Sequence, residues 1–146
     1  MHRIYMAGPL FTTAERRFNL QLAGELRRLL PAFDFVLPQE RAVAFLPDLS
    51  AVVTDCLAQV RGADGLLACL DGPDADSGTC VEVGYALALA KPVLGYRTDF
   101  RGSEIEGVNS MVRYGCTCYI QASSIETSLE GLAAMLAENL SDGTVR

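Results

Sequence analysis

Short apolar runs alternate with stretches of helical periodicity along the chain. The apolar runs predict strands over residues 3–7, 33–37, 65–70, 93–96 and 118–121, several of them closed by glycine or proline. Apolar side chains that recur every three or four residues predict helices over residues 18–30, 50–61, 78–90 and 124–140, with Ser50 as the N-cap of the second. The mixed, proline-containing stretch 39–49 is predicted to be a loop.

The alternation of strands and helices predicts a parallel sheet, because parallel strands need crossovers that pass over a face of the sheet. We expect one α/β domain over residues 1–146, a flavodoxin-like three-layer sandwich whose five-stranded parallel sheet has the order 2-1-3-4-5. Ligands of such sheets bind beyond the carboxyl ends of the strands where the strand order reverses, here after strands 1 and 3. The sequence therefore predicts a site between residues 7–11 and 71–84.

Composition and charge restrict the class of protein. Half of the 146 residues are hydrophobic, which is enough for a substantial core, and no apolar run approaches the length of a membrane span. The N-terminus lacks the features of a signal peptide, so we predict a cytoplasmic protein with no membrane partner. Twelve basic against eighteen acidic side chains, with no basic block, argue against a nucleic-acid polymer as ligand.

The histidine and cysteine content further restricts which metal sites and catalytic groups are possible. His2 is the only histidine, which excludes a histidine-based metal site and a Ser-His triad. Of the five cysteines, Cys116 and Cys118 are separated by one residue, a spacing that matches neither a redox motif nor a zinc knuckle. On one strand these two thiols would point to the same face. Catalysis must therefore use carboxylates, tyrosine or thiols.

The most polar stretch falls at the predicted switch point. Asp76 or Ser77 is expected to cap the following helix, where a negative group is also favoured by the helix dipole. Glu82 lies in the otherwise apolar first two turns, although a solvated glutamate is the commoner outcome from pattern alone. Gly78 and Gly84 favour a site, because glycine destabilises a helix interior but permits close approach. Two carboxylates at one crevice suit glycosyl chemistry, with one acting as nucleophile and one as acid.

Three further segments carry candidate residues. Tyr5, on the first strand, is either a core aromatic or a hydrogen-bond donor that holds Glu82 in place. Gly8 and Pro9 form a tight turn over which a sugar or base could lie. From composition alone, the stretch 109–111 is predicted to be simply a turn.

The sequence contains, in order, the motifs Ile4-Tyr5-Met6-Ala7-Gly8-Pro9-Leu10-Phe11, Ala63-Asp64, Leu70-Asp71-Gly72, Asp76-Ser77-Gly78-Thr79-x-x-Glu82-x-Gly84-x-Ala86, Lys91-Pro92 and Gly107-Val108-Asn109-x-Met111. Taken together these motifs resemble the nucleoside 2-deoxyribosyltransferase family. The resemblance covers about residues 3–120, and its most specific part is the combination of the N-terminal motif with the Asp-Ser-Gly-Thr-x-x-Glu-x-Gly block.

The resemblance implies a double displacement that exchanges the base of a 2′-deoxynucleoside with retention at C1′ and requires no metal or organic cofactor. Glu82 would match the family nucleophile, Asp76 the acid that protonates the departing base, and Tyr5 the residue that orients the nucleophile. Asn109 and Met111 would match residues donated to a neighbouring subunit's site, so a homo-oligomer is expected. The remaining substrate-binding candidates are Gly8, Pro9, Phe11 and Gly78.

One position departs from the family pattern. The family usually has an aspartate or asparagine on the helix before the residue matched by Asp64, and that register falls on Cys56. Asp55 is one residue away, about 100° around a helix. Asp55 is therefore retained as a candidate contact to sugar or base.

Two other functions remain open from the sequence. One is a hydrolase that cleaves nucleoside 5′-monophosphates, whose relatives have a Gly-Ser-rich turn after the first strand and a serine where Asn109 stands. Gly8-Pro9-Leu10-Phe11 and Asn109 instead favour an uncharged 5′-hydroxyl. The other is a non-catalytic nucleotide-binding module, which the fold alone does not exclude. Such a module has no need of the combination of Tyr5, Asp76 and Glu82.

Overall fold

A computed structural model describes residues 1–41, 48–101, 108–122, 124 and 126–144. The strands are β1 (His2–Ala7), β2 (Phe33–Val36), β3 (Gly65–Cys69), β4 (Val93–Arg97) and β5 (Cys118–Gln121). The helices are α1 (Thr13–Leu29), α2 (Leu49–Gly62), α3 (Ser77–Ala88), α4 (Ser110–Gly115) and α5 (Leu129–Asn139), with a 3₁₀ turn at Pro38–Glu40 and a π-helical turn at Leu140–Thr144. Within these ranges no helix has the length and apolar character needed to cross a membrane.

The five strands form one parallel sheet in the order β2-β1-β3-β4-β5. This confirms the flavodoxin-like α/β fold predicted from the alternation of elements. The strand order reverses between β1 and β3, where Tyr5 stands opposite Leu66. A crevice opens at the carboxyl ends of these two strands, since the connections that follow them run to opposite faces of the sheet.

Helices cover both faces of the sheet. On one face, α1 and α5 pack Leu22, Leu26 and Leu136 onto the sheet. On the other, α2 and α3 contribute Val60 and Val83 to a second buried cluster. Consecutive side chains of a strand point to opposite faces, so the two clusters share every central strand. The continuous apolar composition of β3 follows from this, because it is buried on both sides.

Side chains along β1 alternate between the two faces of the sheet, and this alternation determines the face on which Tyr5 lies. Ile4 and Met6 pack toward α1 and α5, whereas Tyr5 and Ala7 pack toward α2 and α3. Tyr5 is therefore presented to the same layer that carries Glu82 on α3. The sheet register thus positions one of the predicted site residues without any contribution from loops.

Helix starts differ from the prediction in three places. Helix α1 begins at Thr13 rather than at residue 18, because Thr12 and Glu15 form a capping box at its start. Ser50 is not the N-cap of α2, because Asp48 Oδ1 accepts hydrogen bonds from the backbone N–H groups of Ser50 (2.9 Å) and Ala51 (3.3 Å). The last helix begins at Leu129, capped by Ser128, rather than at residue 124. Part of the loop predicted over residues 39–49 belongs to the 3₁₀ turn and to α2, and residues 42–47 lie outside the described residues.

The stretch after β4 contains a helix that the sequence did not predict. Asn109 caps α4 by accepting a hydrogen bond from the backbone N–H of Met111 at 2.9 Å. The predicted turn at residues 109–111 is therefore wrong, because the asparagine starts a short helix instead. The two neighbouring cysteines both follow α4 and pack differently: Cys116 packs with the α2–α3 cluster and Cys118 with the α1–α5 cluster. They do not share a face, because Cys116 precedes the strand.

A buried arginine fixes the loops that follow β3 and β4. The Arg97 side chain is 1% exposed, and its guanidinium donates to the backbone carbonyls of Leu70, Gly72, Asp99 and Arg101 at 2.6–3.1 Å. Gly72 adopts φ +107°, and a Cβ there would lie 2.8 Å from the carbonyl oxygen of Asp74, so only glycine fits this turn. Arg97 thereby holds the loop that leads into α3.

Replacing Arg97 by methionine should lower the free energy of unfolding by about 2–4 kcal/mol, because several loop carbonyls would lose their donor in a region closed to water. Urea denaturation, with the midpoint and slope both recorded, measures the change. Arg28→Met is the matched control, because Arg28 pairs with Glu25 on the surface of α1 and should change stability by less than about 0.5 kcal/mol. Equal effects of the two substitutions would contradict this role for Arg97.

Candidate active site

The central interaction of the site joins β1 to α3. The buried Tyr5 hydroxyl donates a hydrogen bond to Glu82 Oε1 at 2.6 Å. Hydrogen bonds to an ionised carboxylate are short and roughly twice as strong as neutral ones. The phenol has a single hydrogen, so this bond commits it to the carboxylate and fixes the orientation of Glu82.

The start of α3 presents the second carboxylate. Asp76 caps the helix, as predicted: its Oδ2 accepts hydrogen bonds from the backbone N–H of Thr79 at 2.9 Å and from the Thr79 hydroxyl at 3.2 Å. Both bonds use Oδ2, which leaves Oδ1 available to a ligand. Asp76 is therefore fixed at the start of α3 through one of its two carboxylate oxygens.

The environment of Glu82 adjusts its acidity. The pKa of Glu82 is raised to about 7, chiefly by burial; the hydrogen bond from Tyr5 lowers it and the negative charge of Asp76 raises it, and the value is the net result of all three. Burial, and then the Glu82 charge, also raises the pKa of Tyr5, so the phenol keeps its proton. A carboxylate that titrates near neutrality beside a second acid is typical of catalytic sites.

A cavity of about 400 Å³ opens over these groups. It brings together five predicted site residues: Gly8, Phe11, Asp76, Gly78 and Glu82. The other lining residues are Leu10, Pro38, Val52, Val53, Cys56, Leu57, Thr79 and Val81. Most of the wall is thus apolar, which suits the faces of a nucleobase or pentose and strengthens polar contacts made inside it.

Two glycines allow close approach at this site. A Cβ on Gly8 would come within 3.0 Å of Cys69 Cβ, and one on Gly78 would lie 3.1 Å from Asp76 Oδ2. Gly84 differs, because it is exposed and a Cβ there would meet nothing within 4 Å. The expectation that Gly84 thins the helix for a ligand is therefore wrong, whereas Gly78 does leave room for the Asp76 carboxylate.

Two candidates lie away from this cavity. Pro9 lines a separate cavity of about 650 Å³ between α1 and the loops after β3 and β4. Asp55 is bound by Arg41, whose Nε and Nη2 donate to its two oxygens at 2.6 and 2.9 Å. Neighbouring residues of a helix point about 100° apart. Asp55 therefore faces Arg41 and lies outside the cavity, whereas Cys56 lines it.

Asn109 and Met111 also lie outside this chain's own cavity. The side-chain oxygen of Asn109 is used in capping α4. Met111 is 86% exposed, on the same side of the sheet as α3. The structure therefore does not bring these two residues to Glu82 within one chain.

Most of the cavity wall contributed by α2 is not evident from the sequence. Helical periodicity puts Val53 and Leu57 on the apolar face of the predicted helix over residues 50–61, which predicts a core position. In the structure Val60 is the buried residue of α2, and Val52, Val53 and Leu57 line the cavity. Helical periodicity shows which side of a helix is apolar and not whether protein or ligand covers it. Among the described residues, no group of three or more histidine, cysteine or acidic side chains is arranged to hold a metal ion.

The fold and site define a class of protein: a parallel α/β sandwich with a phenol-bound carboxylate at its switch point. The family model described as nucleoside 2-deoxyribosyltransferase matches residues 4–135. The chain belongs to that family, as the motif resemblance predicts. No curated protein sequence matches the chain.

Solved structures share the fold. A conserved protein from Enterococcus faecalis V583 superposes with a TM-score of 0.77 at 27% identity, over 95% of this chain and 99% of that one. A 2-deoxyribosyltransferase from Bacillus psychrosaccharolyticus gives 0.65 at 21% identity, over 87% and 95%. A CMP N-glycosidase from Clostridium botulinum gives 0.64 at 14% identity, over 92% and 97%. The family assignment supports a nucleoside deoxyribosyltransferase type of function, and the two more distant likenesses show the fold.

Replacing Glu82 by glutamine should stabilise the protein in a pH-dependent way. The folded pKa of about 7 lies above the ordinary value of 4.5, so the folded state binds the extra proton between these pH values and the wild type loses stability as pH rises through that range. Glutamine keeps an acceptor for Tyr5 without the charge. At pH 8 we expect its free energy of unfolding to exceed that of the wild type by about 1–3 kcal/mol.

The measurement is urea denaturation of both proteins at pH 4, 6 and 8. The gain should be near zero at pH 4 and largest at pH 8. Glu138→Gln, on the exposed side of α5, makes the same chemical change without burial and should show no such trend. A difference between Glu82→Gln and the wild type that is constant with pH would contradict the prediction.

Proposed function

We propose that the protein transfers 2-deoxyribose between nucleobases through a covalent deoxyribosyl intermediate on Glu82, with retention at C1′. The observation that supports this most strongly is the 2.6 Å hydrogen bond from Tyr5 to Glu82 beneath a cavity that Asp76 also lines. A purely structural glutamate on α3 would gain more by facing water. The substrates are 2′-deoxynucleosides and free nucleobases, and the reaction would serve nucleoside salvage in the cytoplasm.

In the first half-reaction, the ionised Glu82 carboxylate forms a C–O bond to C1′ on the face opposite the base. The two neighbouring carboxyl groups share one proton, which Asp76 holds while Glu82 is ionised. The C1′–N bond breaks, its electron pair leaves with the base, and Asp76 passes this proton to the base nitrogen. A neutral nucleobase is a poor leaving group, and general-acid help of this kind contributes about 10²–10⁴-fold. Tyr5 holds the unreacted oxygen of Glu82, so the other oxygen is directed at the sugar.

In the second half-reaction, a ring nitrogen of the incoming base attacks C1′ on the face vacated by the first base. The ester bond to Glu82 breaks with its electron pair returning to the carboxylate, and the proton lost by the base passes to Asp76. Two inversions give net retention. The apolar wall of the cavity limits the access of water, which favours a base over hydrolysis as acceptor.

An exchange assay tests this function. The protein is incubated with deoxyinosine and adenine, and the products are separated by chromatography. Deoxyadenosine is the expected product, and Glu82→Ala should lower its formation by at least about 10³-fold. Glu138→Ala serves as the control, because the exposed Glu138 lies on the opposite helical layer.

Other outcomes of this assay would overturn the proposed transferase activity. Free 2-deoxyribose without deoxyadenosine indicates hydrolysis. Sugar phosphate released from a nucleoside 5′-monophosphate indicates an N-glycosidase. Binding without any product indicates a non-catalytic module. Near-normal exchange by a folded Glu82→Ala would remove Glu82 from the role of nucleophile.

We further propose that the site is completed by a second copy of the chain, which donates Asn109 and Met111. Apolar side chains are exposed around the cavity, with Phe11 70% and Val81 62% accessible, and Met111 and Tyr114 extend this surface along α4. An exposed apolar surface of this kind is typical of an interface. A partner packed on it would also close the cavity against water.

Mixing two inactive variants tests this shared site. Asn109→Ser retains a capping side chain for α4 but removes the amide, and Glu82→Ala removes the nucleophile. We expect each variant alone to exchange poorly and a mixture to recover activity, because a hybrid site takes Glu82 from one chain and Asn109 from the other. Sedimentation should show oligomers in both. A mixture no more active than the sum of its components would contradict donation across subunits.

A further inference from the structure

Thr79 is a buried polar residue to which the proposed reaction assigns no role. It is 1% exposed, and among the described residues only Arg97 is a comparably buried polar or charged side chain. Arg97 is explained by the loop carbonyls that it binds. Burying a hydroxyl without a hydrogen-bond partner costs free energy, so the partner of the Thr79 hydroxyl indicates the role of this residue.

The Thr79 hydroxyl donates to one particular oxygen of Asp76. Its Oγ1 lies 3.2 Å from Asp76 Oδ2, and the backbone N–H of Thr79 donates to the same oxygen at 2.9 Å. Within the described part of the chain, the hydroxyl has no other partner and Asp76 Oδ1 accepts no hydrogen bond. Thr79 therefore distinguishes the two oxygens of a carboxyl group that lines the cavity.

This difference determines which oxygen of Asp76 carries a proton. Each carboxylate oxygen has two lone pairs, and Oδ2 uses both to accept hydrogen bonds from Thr79. Oδ1 keeps both of its lone pairs, so a proton held by Asp76 resides on Oδ1. Without the hydroxyl, one lone pair of Oδ2 would be free, and that oxygen could carry the proton as well.

We propose that Thr79 is a positioning residue that keeps the acidic proton of Asp76 on Oδ1, the oxygen available to the departing base. The proposal rests on the proposed function, in which Asp76 is the general acid. During the transfer the O–H bond at Oδ1 breaks, its electron pair stays on the carboxylate, and an N–H bond forms on the base.

The Thr79 hydrogen bond also favours the transfer itself. A hydroxyl donates a stronger hydrogen bond to a carboxylate than to a neutral carboxyl group. The bond to Oδ2 therefore strengthens as Asp76 loses its proton, and it stabilises the transition state more than the bound substrate. The effect of Thr79 should consequently appear in the rate of base release and little in substrate binding.

Thr79→Val tests this role, because it removes the hydroxyl, keeps the shape of the side chain and leaves the backbone N–H in place. Single-turnover release of adenine from deoxyadenosine should slow by about tenfold. Thr79→Ser retains the donor and should restore most of the rate. Thr54→Val is the matched control, since the exposed Thr54 hydroxyl on α2 donates only to the Ser50 carbonyl, at 2.9 Å.

The dependence on the leaving base separates proton transfer from disturbed packing. Chlorine withdraws electron density, so 6-chloropurine leaves with less help from an acid than adenine does. Thr79→Val should therefore slow base release from 6-chloropurine 2′-deoxyriboside by only about two- to threefold. Equal slowing with both donors would overturn the proposal, because disturbed packing affects both alike.

The positions of the hydrogen atoms can be measured without turnover. Neutron diffraction from deuterium-exchanged crystals in acidic buffer should show the Thr79 hydroxyl directed at Oδ2 and a deuterium on Oδ1 of Asp76. Deuterium on Oδ2 or on neither oxygen, or a hydroxyl directed elsewhere, would overturn the proposal. The expected positions in a protein that releases no base from either donor would instead refute the transferase, while Thr79 would keep its effect on Asp76.

Discussion

The site depends on holding an ionisable carboxylate inside a largely apolar cavity. Glu82 is accommodated there because Tyr5 donates a short hydrogen bond to it from the buried face of β1. That bond requires the sheet register to turn Tyr5 toward α3 and the cap by Asp76 to fix where α3 begins. Arg97 supports this arrangement, because its hydrogen bonds to Leu70 and Gly72 fix the loop between β3 and α3. The sheet and the α2–α3 layer thus both contribute to one oxygen–oxygen contact.

The architecture was predictable from the sequence because it depends on repeated, local patterns. The apolar runs identified all five strands, and the crossover rule then led to the sheet order that the structure shows. The short helix α4 was not predictable from its composition, since Asn109 and Ser110 suit a turn as well as a helix start. The cap of α2 was misplaced for a similar reason: Asp48 and Ser50 are both good caps, and only the backbone geometry distinguishes them.

The position of a site residue could be predicted where the order of the strands determines it. It could not be predicted where it depends on the direction of an individual side chain. Asp76 and Glu82 follow β3, so the switch-point rule placed them correctly. The same reasoning could not decide between Asp55 and Cys56, because a rotation of one residue separates an ion pair with Arg41 from a place in the cavity.

The burial that makes Glu82 costly to the fold is also what suits it to react. Burial raises its pKa to about 7, and a more basic carboxylate is a better nucleophile toward an anomeric carbon. In the proposed reaction, the apolar side chains of α2 that line the cavity would also limit the access of water to the intermediate, which favours transfer over hydrolysis. A more polar wall would lower the cost of burying the carboxylate, but it would admit water as a competing acceptor. On this proposal the stability of the fold at Glu82 and the selectivity for a base are opposed, and the apolar residues of α2 favour selectivity.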